Sequence, residues 1–270
     1  MRRPLRSLLF ALALPAFAPG ALAHPGMHET IAYLSERIRE APEDQALYIE
    51  RGIAYSEDGL LGPALADFRK AETLGDPVRV AFDLGVLHYR AGDFDRAREA
   101  LTRTLARFPA HALAFEYRAR AARDAGDARA AVADFEAVFA LREDVNPGSY
   151  LSAAELLLPL PDAGADAALA LLDRGMAQLG VIPQLQQRAI ALERERGAFG
   201  AALKRHETLA EPLAWSPDWR VERAELLLEL DRPEEAAREL TAAQTALAAL
   251  RPTRARAALG TRITELSRAF

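Results

Sequence analysis

The chain has 270 residues, 50% of them hydrophobic and 27% charged, with a formal net charge of −5 at pH 7; this globular composition excludes a wholly disordered polymer. It has no cysteine, which excludes disulfides, thiolate metal sites and a lipidated cysteine anchor. Aromatic residues are only 7%, while Ala, Leu, Arg and Glu dominate, a mixture that favours helix over any long window and predicts an all-α fold.

Residues 1–23 have the pattern of a secretory signal peptide. Arg2, Arg3 and Arg6 precede an apolar run from Leu8 to Ala18, and Ala21-Leu22-Ala23 supplies small residues for cleavage. The run is too short to span a bilayer and is interrupted by Pro15. The expectation is a soluble periplasmic or secreted protein that begins near His24, with no stable membrane insertion after cleavage. Losing three arginines takes the formal charge from −5 to −8. The remaining basic residues alternate with acids, so there is no continuous basic stripe, and nucleic acid is excluded as a partner.

Segment 24–44 carries Ile31, Leu34 and Ile38 at helical spacing and ends near Pro42; it reads as the second helix of a hairpin whose first half is missing, and as an N-terminal cap. A repeat domain over 45–250 follows. Its first unit has Tyr48, Gly52, Tyr55, a corner at Gly59, then Ala64, Phe68 and Ala71. The next, Val80 to Pro109, places Gly85, Gly92, Ala97 and Leu101 each 33 residues after Gly52, Gly59, Ala64 and Phe68. Coincident spacings of this kind mark a repeat. A third copy keeps Gly126, Ala131 and Phe135 a further 34 residues on, with Ala119 for Gly85. The fourth, with first helix Ser149 to Leu158, a long turn from Pro159 to Gly164, and Ala168 and Leu172, is looser. The fifth turns at Gly197 before Ala202, and the sixth turns at Asp231-Arg232-Pro233 before Ala237. Segment 251–270, with Leu259, Ile263 and Leu266 on one side, reads as a C-terminal capping helix. Asp76-Pro77, Asn146-Pro147 and Ser216-Pro217 read as helix starts, a capping oxygen followed by proline.

Leu84, Gly85, Gly92, Ala97, Leu101 and Pro109, and likewise Gly52, Tyr55, Gly59, Ala64, Phe68 and Ala71, resemble the tetratricopeptide repeat. Two departures stand out: Arg51 occupies the place of the family's Leu, and His88 that of its Tyr. The resemblance implies a right-handed superhelical solenoid of antiparallel helix pairs, about six in all, whose first helices line a groove that holds another protein or a peptide. By register the groove positions of the second and third copies are Arg79, Phe82, Val86, Tyr89, Arg90, Glu116, Arg120 and Arg123. Arginine beside aromatic rings favours an acidic or aromatic-bearing segment. The competing reading is that these arginines only pair with acids on neighbouring helices.

Other chemistry finds little support in the residues. The N-terminal His24 and His28, with Met27, are a candidate copper site once the leader is removed, which makes metal handling the alternative function. His28-Glu29-Thr30 and His206-Glu207-Thr208 begin like a zinc-protease helix, but the second histidine would fall at Ala32 or Ala210. There is no Gly-rich phosphate loop and no Gly-x-Ser-x-Gly elbow. The expectation is a non-catalytic adaptor that needs no cofactor.

Overall fold

The computed structural model describes residues 25–269, so the leader peptide and His24 lie outside the described residues. The described residues form fifteen α-helices and no strand. These are α1 (Pro25–Glu40), α2 (Gln45–Glu57), α3 (Leu61–Leu74), α4 (Val78–Arg90), α5 (Phe94–Arg107), α6 (Ala112–Asp124), α7 (Ala128–Leu141), α8 (Pro147–Leu157), α9 (Gly164–Leu179), α10 (Pro183–Glu195), α11 (Phe199–Glu207), the short α12 (Ala210–Leu213), α13 (Pro217–Glu229), α14 (Pro233–Ala248) and α15 (Arg254–Leu266). The chain divides into two compact units, the first ending at Val80 and the second beginning at Ala81, so the division falls inside α4.

Local chemistry explains where the helices start and stop. The side chains of Asp44, Asp93, Asp127 and Asn146 accept hydrogen bonds from first-turn amides of α2, α5, α7 and α8, satisfying donors that the helix itself cannot. Asp76 does the same for Val78 at the start of α4. Ser216 does not: it stands before Pro217 without a side-chain cap, and the expected capping oxygen is unused there. The corners at Gly59, Gly92, Gly126 and Gly197 have φ between 73° and 83°, a region a β-carbon disfavours. Asp231 fills the equivalent corner of the sixth copy at φ 54°.

The contacts within each hairpin follow the repeat. Six alanines, Ala64, Ala97, Ala131, Ala168, Ala202 and Ala236, are wholly buried on the second helices. The sixth is Ala236 and not Ala237, which is only partly buried; the spacing from Ala202 is therefore 34, the same as from Ala97 to Ala131 and from Ala168 to Ala202. Four residues after each alanine comes a buried partner: Phe68, Leu101, Phe135, Leu172, His206 and Leu240. In the first two copies this side chain fills the space above a glycine. A β-carbon on Gly52 would stand 2.6 Å from the Phe68 ring, and one on Gly85 would stand 2.5 Å from Leu101 Cγ. The fourth hairpin keeps the large Leu172 and adds a second close contact at other repeat positions, with the glycine on the second helix. Tyr150 on α8 is the large residue, stacked on Phe139 at 3.9 Å, and Gly175 on α9 is the small one, its missing β-carbon 2.9 Å from Tyr150 Cγ.

Arginine in place of leucine has a structural reason. Arg51 on α2 donates from Nε and Nη2 to the two oxygens of Asp67 on α3, each at 2.7 Å, and from Nη1 to Ser35 Oγ on α1 at 3.0 Å. In the second unit Arg118 repeats the arrangement with Asp134 and Thr102, and Arg223 repeats it with Glu239 and Glu207. Each guanidinium therefore ties its own second helix to the preceding one. Leu84 keeps the family residue, and the facing position is the apolar Ala100. The fifth hairpin exchanges the roles: Arg205 on the second helix reaches Glu193 on α10 at 2.7 Å and Asp173 on α9 at 2.5 Å. The hydrogen bonds it donates to Asp173, ahead of that to Glu193, hold the Arg205 guanidinium above its ordinary pKa in spite of burial.

Candidate functional site

The groove positions named from the sequence fall in both units and are described separately. In the first unit, Arg79 is exposed and donates to Gln45 Oε1 at 3.3 Å. Gln45 is itself buried and donates to the carbonyls of Ala71 and Asp76 at 3.1 and 2.9 Å. Arg79 therefore borders a side chain that locks α2 to the end of α3.

In the second unit, Phe82, Val86, Tyr89, Glu116, Arg120 and Arg123 are half-buried and Arg90 is exposed. Phe82 and Tyr89 belong to an aromatic cluster. Phe82 lies 4.7 Å from His111 and edge-on to Tyr117 at 6.1 Å, and Tyr117 meets Tyr89 edge-on at 5.8 Å. The register assigns no groove place to Tyr117 or His111, and the sequence reading missed both. Tyr117 stands next to Glu116 on α6, so only the packing of α4 against α6 brings its ring between Phe82 and Tyr89. His111, at the start of α6, accepts the Ala114 amide on Nδ1 at 3.1 Å, which places it half-buried as a helix cap.

The arginines of this cluster are internally compensated. Arg120 pairs with Glu116 and lies 5.4 Å over the Tyr117 ring. Arg123 Nε donates to Asp124 Oδ1 at 2.8 Å, and the Tyr89 hydroxyl donates to Asp124 Oδ2 at 3.0 Å. Those hydrogen bonds, Arg123 first, hold the Asp124 carboxyl below its ordinary range. A guest carboxylate here would have to compete with Glu116 or Asp124. The rings offer the less contested contacts.

A second concavity was not anticipated from the sequence. Between α10 and α13 lies a groove of about 500 Å³ lined by Gln187, Ile190, Ala191, Arg194, Glu195 and Glu222. Counted from the corner Gly197, four of the α10 residues take the same repeat positions as Phe82, Val86, Tyr89 and Arg90 in the second copy: Gln187, Ala191, Arg194 and Glu195. The signal was therefore present in the register. It went unread because the fifth copy lacks the Leu-Gly pair, having Ala189-Ile190 in its place.

Of the metal candidates, His24 lies outside the described residues, and His28 is exposed, 4.0 Å from Asp58. Among the described residues no three His, Asp or Glu side chains are grouped so as to hold a metal ion. Nor is any described helix long and apolar enough to cross a membrane.

Paired helices with small-to-large contacts at a 33–34 residue period define a helical-hairpin repeat protein. The fold is that of the tetratricopeptide repeat. The chain is similar to a tetratricopeptide repeat protein of Parabacteroides merdae, at 16% identity over 88% of this chain and 92% of that one, with a TM-score of 0.52. It is also similar to the C-terminal part of a repeat protein of the same kind from Cytophaga hutchinsonii, at 14% identity, 87% and 94% coverage and a TM-score of 0.67. The pilF protein of Pseudomonas aeruginosa matches at 17% identity, 74% and 90% coverage and a TM-score of 0.53. No family model and no curated protein matches the sequence.

Proposed function

We propose that this protein is a non-catalytic scaffold of the bacterial cell envelope that holds a segment of another protein against the first helices of its repeats. One observation carries this reading. Across the second unit, the helix faces turned away from the buried alanines present half-exposed aromatic, apolar and charged side chains, while buried Asp134, Gln186 and Glu193 are engaged in contacts between helices. The aromatic cluster of Phe82, Tyr89 and Tyr117, with Arg120 over one ring, suits an aromatic or acidic segment, and stacking contributes more there than the compensated charges do. The envelope setting rests on residues 1–23, whose charge and apolar pattern suit export.

The test is a cross-linked pull-down from envelope extract with wild type and Tyr117→Ala. Loss of a specific partner from the variant supports the reading, and equal recovery of every partner counts against it. Fusion of residues 1–30 to a reporter active only outside the cytoplasm checks export; an inactive fusion removes the envelope assignment.

A further inference from the structure

The groove between α10 and α13 carries an imbalance that the fold does not use. Glu222 lines it with a half-exposed carboxylate, and among the described residues the cationic or titratable group within ion-pair range of that carboxylate is His206, Nε2 to Oε2 at 3.5 Å. Other acids nearby are matched: Glu195 faces Arg188 at 3.1 Å, and Glu225 faces Arg194 at 3.2 Å and Arg262 at 2.6 Å.

Behind Glu222, His206 is 1% exposed, stacked on Trp219 at 4.7 Å, and neither ring nitrogen has a hydrogen-bond partner. Its counterparts in the other copies, from Phe68 to Leu240, are all apolar. A buried polar group without a partner costs stability, so an imidazole in this place needs a reason outside the packing. Its Nε2 is turned toward the one carboxylate on the groove wall that no arginine or lysine meets among the described residues.

We propose that this groove docks a basic segment of the partner: a lysine or arginine whose cation meets Glu222, followed by an apolar side chain that rests on Ile190 and Ala191. The inference rests on the scaffold reading and names the partner's chemistry at this end of the second unit. A cation at Glu222 supplies the charge partner that this carboxylate lacks, on the side away from the His206 ring. Charge complementarity commits the occupant: an acidic segment would meet Glu195 and Glu222 with Arg194 already engaged.

The experiment uses the full mature chain with Trp215→Phe, which leaves Trp219, stacked on His206, as the single tryptophan reporter. Three fluorescein-labelled nonapeptides of identical apolar positions carry Arg, Gln or Glu at the three remaining positions, and anisotropy gives their affinities. The arginine peptide is expected to bind at least about tenfold more tightly than the glutamine peptide, the worth of one charge-assisted contact, and to weaken with salt. It should also change Trp219 emission. Glu222→Gln, a substitution at a half-exposed site, should remove most of that preference while leaving the thermal midpoint in place. Equal affinity for the arginine and glutamine peptides, tighter binding of the glutamate peptide, no binding of any peptide, or a preference that survives Glu222→Gln each overturns the inference. None of these results touches the scaffold reading, which stands or falls on partner recovery with Tyr117→Ala.

Discussion

Arg118 meets Asp134 through two parallel hydrogen bonds, Nε to Oδ2 at 2.8 Å and Nη2 to Oδ1 at 2.7 Å, across the inner face of the α6–α7 hairpin. Asp134 is buried, whereas Arg118 keeps one edge in water and spends Nη1 on Thr102. Arg118 therefore joins α6 to α7 through Asp134 and to α5 of the preceding repeat through Thr102.

This arrangement predicts strong non-additivity. Arg118→Leu leaves the Asp134 carboxylate buried without its cation and should cost on the order of 2–4 kcal/mol, reduced from the fully buried case by the exposed edge of the guanidinium. Arg118→Leu with Asp134→Ala recreates the Leu84–Ala100 pair of the second copy and should recover most of that loss. Urea unfolding of the four proteins of the cycle measures the coupling; additive single losses would show that the pair is not a unit.

His206→Leu should stabilise the protein by roughly 1–2 kcal/mol, because it replaces a buried ring with two unpartnered nitrogens by the residue found at the same position in the second, fourth and sixth copies. The thermal midpoint decides it. A lower midpoint would mean that the Trp219 stacking contributes more than the unpartnered nitrogens cost.

Asp83 on α4 governs a pH effect. Burial, opposed by hydrogen bonding to its own backbone and by the nearby His111, pushes its carboxyl up to about 6. An aspartate in the unfolded chain titrates near 4, so the folded state is favoured by this group while it stays protonated. The contribution is complete below about pH 4 and is lost as pH rises through about 6. Asp83→Asn should therefore gain on wild type between pH 4 and pH 7 by roughly 1–3 kcal/mol. Parallel stability–pH curves for the two proteins would contradict it.

Gly175→Leu tests the close contact between α8 and α9 in the fourth hairpin. The new side chain would enter the space of the Tyr150 ring, which is wholly buried and whose hydroxyl donates to Gln178 Oε1 at 2.6 Å. Overpacking should cost about 1–3 kcal/mol or more. A variant with an unchanged midpoint and unchanged near-ultraviolet circular dichroism would refute the close contact.

The all-α class, the helical hairpins and their corners were legible in the residues themselves, since each depends on local chemistry. Glycine at positive φ and aspartate at a helix start act within four residues, and alanine at a fixed interval records a contact that every copy must make. The fourth and sixth copies show where that legibility ends. Tyr150 and Gly175 make a close contact at positions other than those of Gly52 and Phe68, so a template of residue identities passes over them. Ala236 and Ala237 are equivalent as letters, and only burial separates them.

The candidate site divides the same way. Repeat register identified the helix faces that carry Phe82, Tyr89, Arg120 and Arg123. It could not show that Glu116 and Asp124 already neutralise those arginines, because such pairs depend on side-chain directions across and along helices. The replacement of leucine by Arg51 stood out in the sequence as a departure from the family pattern; its cause, an acid sixteen residues later and an acceptor sixteen residues earlier, is a three-helix relation that Arg118 repeats. The groove at Glu222 belongs wholly to tertiary structure, since its floor and walls come from α10 and α13 and its buried imidazole from α11. Local periodicity determines that each hairpin forms and which faces it buries, because these energies are set by neighbours along the chain. Which charges remain unmatched is decided only when separate helices meet, because an ion pair forms between side chains that the sequence keeps far apart.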